Sequence, residues 1–344
     1  MQFSFTEDQV LFQRTVRDLL AKECPPEVVR AAWEGEPAHA GRAWGRLAEV
    51  GVTGMLVPEE HGGMGLDETD LVLALEESGR VALPDPIVST ALVAAPLLRD
   101  RAPQAIASKW LPRIATGDAL VVVGLDESPN VPSADVADLL IMQLGSEFHL
   151  VDPTKVTLNR HSSVDGSRHL FTVDWRATDE SMLVGGEQGW QSVNEAFDRL
   201  LLGVSAQLVG LAAHMLDTTV TYVKDRHQFG VPIGSFQAIK HQLADCLIKL
   251  EFARPLVYRA AYSIATTNPD ASSHVSMAKA FASDAATFVA GRALQCHGAI
   301  GYTDEYDLHM WMKRAWALAS RYGDSRFHRR RVGRAIFGPD PQTQ

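Results

Sequence analysis

The sequence predicts an α+β chain that is mainly α. It reads as an N-terminal helical domain over residues 1–117, a small central β domain over 118–186 and a C-terminal helical bundle of four-helix type over 187–344. Three observations lead to this. Apolar residues recur near the helical period at both ends of the chain. Between those ends the texture changes to short β-rich runs broken by Pro, Asn, Asp and Gly. The 344 residues, 46% of them hydrophobic, are enough for two or three such units with their own cores.

Thr6 is placed to cap a first helix whose apolar positions are Val10, Leu11, Val16, Leu19 and Leu20, and Pro25 and Pro26 close it. A loop with Pro58, Gly62, Gly63 and Gly65 separates two further helical stretches that end near Ala95. The runs 119–123, 138–143 and 169–173 read as strands of a small antiparallel region. From Trp190 to about Gly333 the pattern is helical again. One long segment sets Ile239, Leu243, Cys246, Leu247 and Leu250 on one face, the spacing of a bundle helix. Pro255 is expected to kink or end it. Another helix covers about 277–295.

Composition excludes several functions. The formal net charge is -10 with both signs mixed, and no basic stripe is present to track a phosphate backbone, so nucleic acid is not an expected partner. Arg329, Arg330 and Arg331 read as a solvated helix face. Cys24, Cys246 and Cys296 lie far apart without CxxC spacing and read as reduced core thiols. The histidines form no HExxH pairing, so no metal site is expected. The N-terminal stretch mixes Glu7, Asp8, Arg14, Arg17 and Asp18 with spaced apolar residues, unlike a signal peptide or a membrane span. The expectation is a cytoplasmic protein that does not engage the membrane.

The chemistry-bearing motifs lie in the last region. Tyr222 and the run Arg226-His227-Gln228-Phe229-Gly230 precede Ile233-Gly234-Ser235-Phe236-Gln237, and downstream stands Gln295-Cys296-His297-Gly298-Ala299-Ile300-Gly301-Tyr302. A guanidinium is a forked, permanently charged donor suited to a pyrophosphate. Glycines admit close backbone approach, and backbone N–H groups near a helix end favour anionic oxygens. Each residue also has a plainer reading. Arg226 would pair with a surface carboxylate, Phe229 would sit in a core, Gly298 and Gly301 would build a turn, and Gln237 and Gln295 would be solvated.

Together these motifs resemble the acyl-CoA dehydrogenase family, which carries R-x-x-F-G…F-Q and Q-x-x-G-G-x-G in its C-terminal bundle. The opening Phe5-Thr6-Glu7-Asp8-Gln9, the loop Val57-Pro58-Glu59-Glu60-His61-Gly62-Gly63-Met64-Gly65 and the segment Glu76-Glu77-Ser78-Gly79-Arg80 are similar to that family too. The resemblance runs through nearly the whole chain in the right order. It implies FAD as cofactor and α,β-dehydrogenation of an acyl-CoA. It also implies that Arg226, Phe229, Gln237, Gln295 and Gly298 reach the FAD held mainly by a neighbouring subunit. Ala299 stands where the family has a second glycine.

The same resemblance exposes what is missing. The family removes the α proton with a glutamate while the flavin takes a β hydride. In most members that base lies in a Y-E-G-T segment. Alignment through Met312-Lys313-Arg314-Ala315 brings Arg321-Tyr322-Gly323-Asp324 there, with Tyr322 at the glutamate position. A phenol, with an ordinary pKa near 10, is a poor proton acceptor. Other members use a Glu-Arg pair on an earlier helix, and counting back from Gly210 reaches Leu200 at that glutamate. Asp198-Arg199 lies two residues early, about 200° around a helix. No catalytic residue is therefore assigned to this chain, with Asp198 and Asp324 left open as bases. The family's T-E-P-x-x-G-S-D is replaced by Asp126-Glu127-Ser128-Pro129-Asn130-Val131-Pro132-Ser133, no counterpart of its W-x-T/S flavin-ring motif is found, and the β region is shortened.

The resemblance thus implies a subunit of a heteromeric dehydrogenase, an α2β2 heterotetramer in which a homologous full-length partner supplies the glutamate and the flavin-ring pocket. Shortened members of this kind resemble those of bacterial steroid side-chain degradation, which makes a steroid-CoA thioester the expected substrate. Two other readings stay open. One is a complete homotetramer using an unaligned carboxylate, and the other is a non-catalytic structural subunit. Retention of Arg226 and Gln295 counts against the last.

Overall fold

Helix α1 (Glu7–Glu23) starts where its cap dictates. The Gln9 N–H donates to Thr6 Oγ1 at 3.2 Å and the Thr6 N–H donates back to Gln9 Oε1 at 2.9 Å, a closed capping box. Pro26 then opens α2 (Pro26–Trp33), where a missing N–H costs nothing. The computed structural model describes residues 4–35 and 42–338. Beyond α2 come α3 (Ala43–Glu49) and α4 (Glu68–Arg80), then a π-helical segment Val88–Ala94 that runs into α5 (Ala95–Arg101), and α6 (Gln104–Ala115).

Seven strands follow: β1 (Val121–Gly124), β2 (Val131–Pro132), β3 (Leu139–Leu144), β4 (Glu147–Val151), β5 (Thr157–His161), β6 (Leu170–Asp174) and β7 (Met182–Val184). They form two sheets, ordered β1-β3-β4-β7 and β2-β6-β5. The expectation of an antiparallel region needs one correction, because β1 and β3 are parallel, with Val121 opposite Leu139. The physical reason is the intervening β2, which joins the second sheet. The chain returns to β3 by a crossover instead of a hairpin. Val122, Val131, Leu140 and Phe171 form a small core of their own.

The bundle consists of α7 (Gly186–Asp225), α8 (Gln237–Ala265), α9 (Ala271–His297), α10 (Leu308–Ser320) and α11 (Ser325–Phe337). A short hairpin, β8 (His227–Gln228) and β9 (Val231–Pro232), links α7 to α8. Helix α7 is long and apolar enough to cross a membrane by composition, yet 89% of its most apolar window is buried inside the bundle. It crosses α4 backbone to backbone. A β-carbon added at Gly210 would lie 1.9 Å from the Glu76 carbonyl oxygen, and one at Gly79 would lie 2.2 Å from that of Gln207. Only glycine permits this approach, which fastens the N-terminal helices to the bundle.

Two expectations about the bundle are corrected, and one of the two outcomes expected at Pro255 is ruled out. Leu247 is not on the inward face with Cys246 and Leu250; it is 49% exposed and forms an outward apolar strip with Ile248 (54%) and Phe252 (68%). Pro255 does not end α8, which continues to Ala265. The helix is clamped around the proline by Glu76 of α4, which accepts from Arg254 at 3.1 Å and from the Tyr258 hydroxyl at 2.7 Å. Of the arginine run on α11, Arg331 turns inward to pair with Asp198 at 3.0 Å and lies over the Phe197 ring. All three cysteines are buried and free, as expected of core thiols.

Candidate functional site

The residues assigned to cofactor contact lie where helices end. Arg226 caps α7, its N–H donating to the Tyr222 carbonyl at 2.9 Å, and its own carbonyl accepts from the Ile233 N–H at 2.8 Å. The hairpin beyond it turns on Phe229 (φ +54°) and Gly230 (φ +82°), two left-handed residues in succession. Phe229 is 92% exposed and its ring meets that of Phe236 edge-on, centroids 6.2 Å apart. Gln237 is the first residue of α8, whose opening N–H groups have no side-chain cap. Gly298 caps α9 at φ +65° and ψ -140°, a conformation that favours glycine. Gln295 is exposed just before it.

An aromatic clasp joins the ends of α7 and α9. The Tyr222 and His297 rings stack at 4.2 Å, and the Tyr222 hydroxyl donates to the His297 carbonyl at 3.4 Å. His297 Nδ1 lies 2.8 Å from the Ala293 carbonyl and so carries the proton, leaving Nε2 to accept from the Tyr306 hydroxyl at 3.1 Å. Burial holds His297 below the usual histidine range, consistent with that neutral form. The clasp brings Arg226 and Gly298 to one rim, beside an open recess lined by Thr218, Tyr222, Arg226 and Tyr306.

Two of the plainer readings fail here. Arg226 forms no ion pair among the described residues, and Phe229 is in no core. The turn reading of Gly298 holds alongside its exposure. The general expectation that helix ends supply N–H groups is met only by α8, since α7 and α9 present their carbonyl ends to the rim.

Leu200 and Tyr322, the two positions that the resemblance aligns with the family's base, line a single cavity of about 80 Å³. Its walls include Val88, Val123, Val204 and Leu318, and Asp85, Arg168 and Arg321 open onto it. Neither open candidate base lines it. Asp198 is buried, paired with Arg331 and bonded by the Ser272 hydroxyl. Asp324 caps α11 by accepting from the Phe327 N–H at 2.8 Å, a bond that holds its carboxyl below the usual range. Tyr322 has a left-handed backbone (φ +57°), and its hydroxyl accepts from Arg321 at 2.7 Å. Lys279 secures this turn by donating to the carbonyls of Ala319 at 2.9 Å and Gly323 at 3.1 Å and to Ser283 Oγ at 3.0 Å. Burial pushes that lysine down to about 7.

Sequence reasoning missed Asp85, Arg168 and Arg314. Burial pushes the Asp85 carboxyl up to about 8. Burial first, and then the nearby Arg321, pushes Arg168 down to about 9. Arg314 pairs with Asp165 and donates to Ser167 Oγ at 2.7 Å and the Leu83 carbonyl at 3.0 Å. The one available signal was Pro84-Asp85-Pro86, an acid fixed between two prolines within an apolar stretch.

Comparison with known proteins identifies the family and the fold. Residues 6–118 match the model for the acyl-CoA dehydrogenase N-terminal domain, and residues 187–337 match that for the C-terminal domain. Acyl-CoA dehydrogenase IpdE2 of Mycolicibacterium smegmatis is 35% identical over 333 residues, covering 96% of this chain and all of the relative (100%). Among solved structures, the ChsE4-ChsE5 complex from Mycobacterium tuberculosis has a chain that superposes with a TM-score of 0.87 at 23% identity, covering 99% of this chain and 100% of that one. The Tcur3481-Tcur3483 steroid ACAD superposes at 0.85 with 24% identity, covering 96% and 98%.

Proposed function

Because the chain belongs to the acyl-CoA dehydrogenase family, we propose that it works as the base-lacking subunit of a heteromeric member, oxidising an acyl-CoA thioester of a steroid side chain. A homologous full-length partner supplies the glutamate and the flavin-ring pocket. FAD is the cofactor and, when bound, supplies the acceptor for the β hydride.

The observation that carries this reading is the rim. Arg226 is exposed and forms no ion pair among the described residues, although Asp225 lines the same recess, and the Tyr222–His297 contact brings the Gly298 turn near it. Those residues fit the outer half of a dinucleotide site. The Arg226 guanidinium pairs with the pyrophosphate or adenosine end, and the uncapped N–H groups at Gln237 favour the same anionic oxygens. Phe229 offers an apolar face that its own fold leaves in water, and Gln295 adds an amide. These side chains bind and orient, and none of them moves a proton. The base positions, Leu200 and Tyr322, carry no carboxylate, and Asp198 and Asp324 are engaged elsewhere. That weighs against a self-sufficient homomer. The outward strip of Leu247, Ile248 and Phe252 supports assembly with another subunit, since a free monomer gains nothing by exposing it. Such an enzyme acts in the cytoplasm as an α2β2 heterotetramer.

The test is purification of the chain alone and with its partner. Alone it should be colourless and inactive. With the partner it should give a yellow, active complex holding fewer flavins than chains. Stoichiometric flavin and acyl-CoA oxidation by the chain alone would overturn the reading.

A further inference from the structure

The cavity at Leu200 and Tyr322 is not merely an emptied active site, because its charges are left open. Arg314 is fully engaged by Asp165, Ser167 and the Leu83 carbonyl. Arg168 is different: among the described residues its side chain has no hydrogen-bond or ion-pair partner, although it opens onto the cavity. Arg321 reaches the Asn130 carbonyl at 3.4 Å and the Tyr322 hydroxyl at 2.7 Å, neither of which carries charge. Asp85 is only 5% exposed, and its Oδ1 has no hydrogen-bond partner.

The opposite charges do not satisfy one another. No ion pair joins Asp85 to Arg168 or Arg321 among the described residues, and Asp85 Oδ1 has no partner. A buried polar atom without a partner is costly, and Asp85 Oδ1 is one; the half-buried Arg168 guanidinium has no protein partner either, so this one space leaves places for a ligand's atoms. The space also has apolar walls, including Val88, Val204 and Leu318. Its volume of about 80 Å³ suits a short carbon chain.

We propose that this cavity binds a small hydroxy acid: its carboxylate pairs with Arg168 and Arg321, its carbons lie against the apolar walls, and its hydroxyl bonds to Asp85. A carboxylate matches the planar fork of a guanidinium. A hydroxyl both donates and accepts, and therefore serves either form of the Asp85 carboxyl. Inorganic phosphate would leave Asp85 and the walls unmet. The site is separate from the rim at Arg226 and does not depend on the shared-flavin reading.

The test is calorimetric titration of the full chain, alone and assembled, with acetate, propionate and butyrate, their terminal hydroxy acids, and phosphate. At least one hydroxy acid should bind once per chain and about ten-fold more tightly than its parent acid, the value of one net hydrogen bond. Arg168→Gln should weaken both members of that pair by about ten-fold or more. Asp85→Ala should abolish the difference between them and leave the parent acid's binding in place. Thermal unfolding of each variant identifies any that fails to fold, and Arg321→Gln then replaces Arg168→Gln. Three outcomes overturn the proposal: no acid binds, phosphate binds as well as the acids, or folded arginine variants bind unchanged.

Discussion

Replacing Asp85 with asparagine should remove a steep pH dependence from the stability of this protein. In the unfolded chain the carboxyl titrates at its ordinary 3.8, whereas in the fold burial moves it to about 8. Between those values the folded protein holds a proton that the unfolded chain has released. The group's contribution is therefore whole below 3.8, declines as pH rises, and is lost beyond about 8. The interval is about four units at roughly 1.4 kcal/mol each, and water penetration and relaxation reduce the usable part to on the order of 2–3 kcal/mol. The groups facing Asp85 do not reverse the sign: Cys24, which caps the end of α1, is pushed up to about 12 and stays a thiol, and Arg314 of α10 is already paired. Urea unfolding of both proteins at about pH 5, 6.5 and 8, at one protein concentration, measures the effect. The wild type should lose stability relative to Asp85→Asn as pH rises through this window. Parallel pH profiles would refute the burial argument.

The remaining predictions concern the rim and the positions aligned with the family's base. Arg226→Ala should weaken flavin retention in the assembled enzyme roughly ten- to a hundred-fold, because one charge-assisted contact contributes about 1.5–3 kcal/mol; unchanged flavin affinity by dialysis and absorbance would count against its role. Tyr322→Phe should leave a substantial rate in the assembled enzyme, and a loss of several orders of magnitude with flavin still bound would make the phenol part of the chemistry. Asp198→Asn breaks the pair with Arg331 and should cost about 1–3 kcal/mol in urea unfolding without lowering turnover of the remaining folded enzyme; a lost rate at full stability would return Asp198 to the list of bases. Tyr322→Glu should add no second active site, so turnover per assembled enzyme stays unchanged. A doubling would show that only the glutamate was missing.

How much of this was legible in the sequence depended on whether the signal was local. Thr6 and Gln9 announce their capping box within a single turn, and the strand runs announce extended backbone. The parallel pairing of β1 with β3 is a property of where β2 goes, which no residue of β1 or β3 encodes. The spacing on α8 identified an apolar stripe, but a stripe wide enough to include Leu247 faces two directions, and only packing decides which part meets α9. Arg226, Phe229, Gln237, Gln295 and Gly298 were legible through motif resemblance. The exposure of Phe229 was not, because an aromatic is ordinarily buried. Asp85 and Arg168 escaped because the cavity joins a loop after α4 to a loop before β6, and neither segment carries a motif.

Under the proposed base-lacking reading, the surroundings of Tyr322 make the loss of the base more than one exchanged residue. A carboxylate that accepts a proton near neutrality needs a setting that raises its pKa, through apolar walls or a like charge. Here the glutamate position is stacked under Arg321, with its hydroxyl hydrogen-bonded to that guanidinium, and Arg168 opens onto the same space. Both charges would hold a carboxylate ionised and weakly basic. Among the described residues Asp85 is the one carboxyl that lines the cavity; it pairs with neither arginine, and burial favours its protonated form. The electrostatics of the cavity are thus opposite to those of an α-proton acceptor: cations where the base would stand, and a neutral acid where none is expected. The rim at Arg226 needs no such tuning, since a permanent charge in water serves a pyrophosphate as it is. Under the two proposals, that difference explains how one chain could keep the contacts a neighbour's cofactor requires while its own cavity holds an anion.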